Sequence, residues 1–203
     1  MENKIAQFFS WVLHPMMMPT YAMLLLFNQN AYFVLILPQK LKLMLAGLIF
    51  ANTFILPLIF IWMMRKRGII SSLQMPLRSE RTFPFAITAL FYIATFIMMR
   101  NLGLPNLYEL FIIGGTVLII IALIVNLFWK ISIHMLGMGG LLGGFIGLSL
   151  LSYIDARGLI VSLMALSGAV GFARLKLNTH NSAQVYAGFA AGVIIMLSVL
   201  SFL

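Results

Sequence analysis

The sequence has no cysteine, and only four of its 203 residues are acidic. The first absence excludes disulfides, iron–sulfur clusters, thiolate metal sites and cysteine nucleophiles. Charge of either sign is scarce. Asp, Glu, Lys and Arg together make 8% of the chain, against roughly 25% in average soluble domains. The apolar share is 63%, against roughly 45–50%, and the mean hydropathy is +1.08. Such a chain lacks the polar surface that a soluble enzyme, a disordered tail or a coiled coil needs. No repeat at a fixed period and no low-complexity segment interrupts it. Length alone would allow one or two soluble domains, but composition overrides that prior. The expectation is a single transmembrane domain over 1–203.

Apolar runs near the ~20 residues that a helix needs to cross a bilayer recur along the chain. They cover Phe8–Phe27, Leu43–Met64, Phe85–Met99, Leu110–Trp129, His134–Ile154, Leu159–Phe172 and Val185–Leu203. The third and sixth are short and borrow from their flanks, so the expected count is about six or seven. The runs are continuous and show no two-residue alternation, which excludes a barrel. The fold class is therefore all-α, a polytopic integral membrane helical bundle. The first run contains His14-Pro15 and Pro19, so a break or tilt is expected there. That run is too long for a removable signal peptide, and no small-x-small cleavage site follows it before Asn28.

The formal charge is +9, from thirteen basic and four acidic residues. No basic stripe alternates with exposed aromatics, so nucleic acid is not the expected partner. Membrane lipids, and an anionic substrate at the membrane surface, are. Seven crossings place Lys4, Arg65, Lys66, Arg67, Arg78, Arg81, Lys130, Arg174 and Lys176 on one side. They leave Lys40, Lys42, Arg100 and Arg157 on the other. The positive-inside rule makes the first side cytoplasmic. Lys40, Lys42 and Arg100 are expected to snorkel as interfacial anchors, and Asp155 and Arg157 to pair across a tight loop.

Glycines gather late in the chain, at Gly137, Gly139, Gly140, Gly143, Gly144 and Gly147, and again at Gly188 and Gly192. Small residues let membrane helices approach closely. Gly140/Gly144 and Gly188/Gly192 are each spaced for one helix face. The fifth and seventh spans are therefore expected to pack tightly, with their polar ends meeting.

Three polar clusters fall on the same membrane side, because an even number of crossings separates them. They are Arg78-Ser79-Glu80-Arg81-Thr82-Phe83-Pro84, Lys130-Ile131-Ser132-Ile133-His134, and Arg174-Leu175-Lys176-Leu177-Asn178-Thr179-His180 with Gln184. Two histidines, several guanidiniums and no acidic cluster suit phosphoryl transfer. Arginine grips phosphate oxygens bidentately and stays charged. One neutral imidazole can attack phosphorus while a second protonates the leaving oxygen. Helix N-termini near His134 and His180 would add amide donors for an anion. A Gln184 carbonyl four residues beyond His180 can accept from one ring nitrogen and free the other. No His-x-x-x-His or Glu-x-x-His pair offers a metal site. Haem would need two histidines at matched depth, and the surrounding arginines favour phosphate instead. His14, inside an apolar run, is either a functional residue or a neutral residue at a helix kink; the kink is the expectation.

On these residues the chain resembles the type 2 phosphatidic acid phosphatase superfamily, the membrane branch with a histidine nucleophile. The family's second motif, Pro-Ser-Gly-His, is matched by Ser132-Ile133-His134. Its third, Ser-Arg, five spacers, His, three spacers, Asp, is matched by Arg174, His180 and Gln184. Ile131 and Ile133 replace the Pro and Gly, Ala173 the serine, and Gln184 the aspartate. Glutamine there also occurs in branches acting on polyprenyl diphosphates. The first motif, Lys, six spacers, Arg-Pro, is degenerate: Gln74 stands seven before Arg81, and Pro84 comes three after it. The resemblance implies that His180 is the nucleophile and His134 the general acid. It implies that Arg81 and Arg174, with Ser132, hold the phosphate, and that Arg78 or Lys130 replaces the missing cation. No cofactor and no metal are expected. The implied activity is a phosphatase of the bacterial cytoplasmic membrane that cleaves a lipid phosphate or an isoprenoid diphosphate. A lipid-phosphate binding or transport protein of weak chemistry, or a lipid phosphotransferase, are the alternatives.

Overall fold

A computed structural model describes residues 2–151 and 153–202. The expected fifth and seventh spans include positions 152 and 203, which lie outside the described residues. Among the described residues, six helices are long and apolar enough to cross a membrane: Gln39–Lys66, Ser79–Arg100, Asn106–Asn126, Ile133–Leu150, Arg157–Lys176 and Ser182–Leu200. The chain is a helical membrane bundle.

The first apolar run does not make a seventh continuous helix. It is cut into α1 (Glu2–Val12), a 3-10 turn (Pro15–Met17) and the ten-residue α2 (Met18–Phe27). The cause is local. A residue before proline is pushed out of the helical region, and His14 sits at φ −67°, ψ 136°. Its Nδ1 accepts from the Met16 amide at 3.4 Å and caps the turn. After a short α3 (Tyr32–Leu35), the first full crossing is α4 (Gln39–Phe50), a π-helical segment (Ala51–Ile55) and α5 (Leu56–Lys66), continuous over 28 residues. The π segment lies just before Pro57, where a missing N–H disrupts the regular ladder.

The other crossings are α6 (Thr82–Arg100, entered through a 3-10 turn at Ser79–Arg81), α7 (Asn106–Asn126), α8 (Ile133–Leu150), α9 (Arg157–Lys176) and α10 (Ser182–Leu200). Helix α8 is the centre of the bundle. Its most apolar stretch is 72% buried, against 28–39% in the other five crossings. Its glycines explain this, because they present backbone on two sides. A Cβ on Gly143 would lie 2.7 Å from the Val193 carbonyl oxygen of α10, and one on Gly144 would lie 2.7 Å from the Phe111 ring of α7. Gly140 and Gly144 share one helix face, as their spacing predicts, but that face meets α7, whereas Gly139 and Gly143 approach α10. From α10, Gly188 completes the contact, since a Cβ there would lie 2.8 Å from the Ser132 carbonyl oxygen. The α8–α10 packing therefore continues to the polar end of both helices. On the opposite side, Asp155 and Arg157 form the expected pair, with Arg157 Nη2 2.7 Å from Asp155 Oδ2.

Candidate functional site

The beginnings of α8 and α10 lie together. The Ser132 amide donates to the Gln184 backbone carbonyl at 3.4 Å. Ser132 precedes α8 in the N-cap position, where serine commonly turns its hydroxyl onto the first amides. Here it makes no such bond. Ser132 is fully buried, and its Oγ has no hydrogen-bond partner among the described residues.

The Arg174–His180 spacing has a structural cause. Helix α9 ends in a Schellman motif: the Asn178 amide donates to the Leu175 carbonyl at 3.0 Å and the Thr179 amide to the Arg174 carbonyl at 3.3 Å. Asn178 takes the left-handed conformation this requires, at φ +51°. The chain reverses at once and brings His180 back beside Arg174. Helix α10 begins at Ser182, so His180 and Gln184 do not share a helix face. Their bond arises from a capping box instead. The Gln184 amide donates to Asn181 Oδ1 at 2.9 Å, and Gln184 Oε1 accepts from the Asn181 amide at 3.3 Å. The same Oε1 accepts from His180 Nδ1 at 2.9 Å. Because that oxygen only accepts, Nδ1 carries the hydrogen and Nε2 keeps its lone pair.

His180 is buried, at 7% exposure. Burial pushes its imidazole down to about 4; the bond to Gln184 opposes this, and the charges of Arg174, Arg81 and Lys130 reinforce it. Lys130 is also held below the usual ammonium range, by burial first and then by Arg81 and Arg174. These effects put three cations and His180 in one electrostatic neighbourhood. His134, on the first turn of α8, belongs to it as well, since its ring and the Arg174 guanidinium both bond Ser10. Arg81 is only 6% exposed. Its Nε donates at 2.9 Å to the carbonyl of Met75, whose own φ is +45°.

Arg78 is placed differently. Its side chain is exposed, and its backbone carbonyl accepts from the buried Asn126 Nδ2 at 3.0 Å. Of the two alternatives for the missing cation, Lys130 is the one brought to the cluster. Two members come from the first segment. Ser10 Oγ accepts from Arg174 Nη1 at 3.2 Å, and the Ser10 carbonyl accepts from His134 Nε2 at 3.1 Å. The His14 ring stands edge-on to His134, with centroids 5.6 Å apart. His14 thus caps a kink, as expected, and also borders the cluster. The signal for it was its ionisable ring in an apolar run; Ser10 gave none. Besides Ser132 Oγ, the atoms His134 Nδ1 and Arg174 Nε are buried with no hydrogen-bond partner among the described residues. Buried polar atoms are rarely left so, and here three fall in one cationic cluster.

Next to the cluster an apolar cavity of about 100 Å³ extends between the first segment, α6, α7 and α8. Pro15, Pro84 and Ile133 line it close to the polar residues, and Tyr92, Leu118 and Gly140 line it deeper in the bundle. No family model, curated protein or solved structure matches the chain.

Proposed function

We propose that the protein is a membrane phosphatase that hydrolyses a lipid phosphate or an isoprenoid diphosphate through a phosphohistidine. The observation that carries this reading is the meeting of two buried imidazoles with Arg81, Arg174 and Lys130, around three buried polar atoms that have no hydrogen-bond partner among the described residues. His180 Nε2, free and neutral, attacks phosphorus in line. The bond from phosphorus to the leaving oxygen breaks, and that oxygen takes a proton from His134. Water then attacks the phosphohistidine and gives a proton back to His134, which releases inorganic phosphate and restores His180. Arg81, Arg174 and Lys130 neutralise the charge on the transferring group, and Ser132 Oγ donates to one of its oxygens. The first few carbons of the apolar tail lie in the cavity beside Pro15 and Pro84. The excess of basic residues on the site side supports a cytoplasmic-facing site, and the proposed location is a bacterial cytoplasmic membrane.

The test is phosphate release by the purified protein from a panel of lipid phosphates and isoprenoid diphosphates, with a chelator present. Wild type is expected to release phosphate, and His180→Ala to fold and release none. Equal turnover by that variant would exclude the mechanism.

A further inference from the structure

The ends of α1 hold more of the site than a kinked helix requires. A helix leaves its last four carbonyls without intrahelical partners. Pro15 forces His14 out of the helical region, so α1 stops at Val12 and the Ser10 carbonyl loses the amide that a continuing helix would supply. His134 takes that place: its Nε2 lies 3.1 Å from the Ser10 carbonyl oxygen. A carbonyl cannot donate, so Nε2 carries the hydrogen. In a neutral ring the lone pair is then on Nδ1, the buried atom without a partner. The Ser10 hydroxyl simultaneously accepts from Arg174 Nη1 at 3.2 Å, while Arg174 Nε is buried and unbonded among the described residues. One residue thus fixes one edge of the imidazole and one edge of the guanidinium. The opposite edge of each is left with nothing but the cluster to bond.

We propose that Ser10 is a positioning residue of the phosphate site, which turns His134 so that Nδ1 exchanges the proton and aims the free edge of Arg174 at the same anion. This rests on the phosphatase reading. Nδ1 carries a proton taken up from water or from a monoanionic phosphate as substrate binds. It gives that proton to the leaving oxygen and recovers one from the attacking water. Nε2–H stays on the Ser10 carbonyl throughout. The two imidazoles are then of opposite tautomer: His180 works through Nε2 and His134 through Nδ1.

Two measurements on the full chain in lipid nanodiscs test this. With three histidines in the sequence, ¹⁵N-histidine spectra can be assigned by single His→Gln variants. His134 is expected to give a protonated Nε2 and an unprotonated Nδ1, and the reverse pattern overturns the assignment. Orthovanadate binding is the second measurement. Ser10→Ala is expected to weaken it roughly tenfold, as loss of a hydrogen bond to a charged group does. Ser10→Thr restores it, and the His134 tautomer is unchanged in both because the carbonyl remains. Wild-type affinity in Ser10→Ala overturns the role of the hydroxyl. Neither readout needs turnover. A wild-type protein that binds vanadate but cleaves no lipid phosphate would defeat the phosphatase reading and leave the positioning role standing.

Discussion

At the residue scale, the informative groups are those whose protonation is fixed by a neighbour. Gln184 can only accept from His180 through its Oε1, so the ring nitrogen that keeps the lone pair, the attacking atom of the proposed mechanism, is already chosen in the resting structure. With its pKa pushed down to about 4, His180 is the free base over the whole physiological range. Protonation therefore removes the nucleophile only as pH falls toward 4, and not near the ordinary 6.5. The contribution of this residue to the acid limb of kcat/KM is expected close to that lower value. Lys130→Gln removes a cation that disfavours the imidazolium, so the limb should move to higher pH while kcat/KM falls. A pH–rate series of the two proteins checks both signs. Gln184→Leu leaves Nδ1 without its acceptor and is expected to lower kcat by about 10²-fold or more, as a misoriented attacking imidazole does. Part of this was legible from residue types alone: the third cluster announced His180, Arg174 and Gln184. Ser10 was not legible, because its contacts come from residues 124 and 164 positions later, and nothing in Phe9-Ser10-Trp11 signals a partner that remote.

At the scale of elements, two short devices hold the candidate site. The Schellman turn after α9 sets the distance from Arg174 to His180, and Asn178 tolerates the left-handed backbone it needs. Asn178→Val is expected to cost about 1–2 kcal/mol, and Asn178→Gly to be tolerated; thermal unfolding in detergent distinguishes them. The second device is the close approach of α8 and α10. Gly188→Leu places a side chain where the Ser132 carbonyl oxygen is only 2.8 Å from a Cβ position. Overpacking of this kind costs about 1–3 kcal/mol. Because the strain falls beside Ser132, phosphate release is expected to drop further than stability does, and parallel melting and activity measurements would show the difference. The apolar runs and the glycine clusters disclosed that these helices meet. They did not disclose which glycine faces which neighbour, because two helices compete for one small-residue surface on α8. The break at His14-Pro15 was foreseeable from proline stereochemistry, whereas its consequence, an unclaimed Ser10 carbonyl, depends on where α8 happens to begin.

At the scale of the molecule, the bundle gathers basic residues and both buried site imidazoles toward one end. The absence of cysteine makes sidedness directly measurable. Lys66→Cys and Lys40→Cys stand at opposite ends of the first full crossing, and a membrane-impermeant maleimide is expected to label the first only from the cytoplasmic face and the second only from the other. The same labelling of both from one face would remove the even-crossing argument that unites the three clusters. Central burial of α8 carries one more consequence. Its most apolar window has the lowest hydropathy of the six crossings, 1.6, and the greatest burial, 72%. The bilayer itself therefore gives this helix the least reason to stay. During synthesis, α8 emerges well before α10, the partner that covers Gly139 and Gly143. Until α10 is inserted, the segment bearing His134 lacks the cover of its Gly139 and Gly143 face, and that arrival both completes its packing and delivers His180. Completion of the bundle and the meeting of the two buried imidazoles would then be one event.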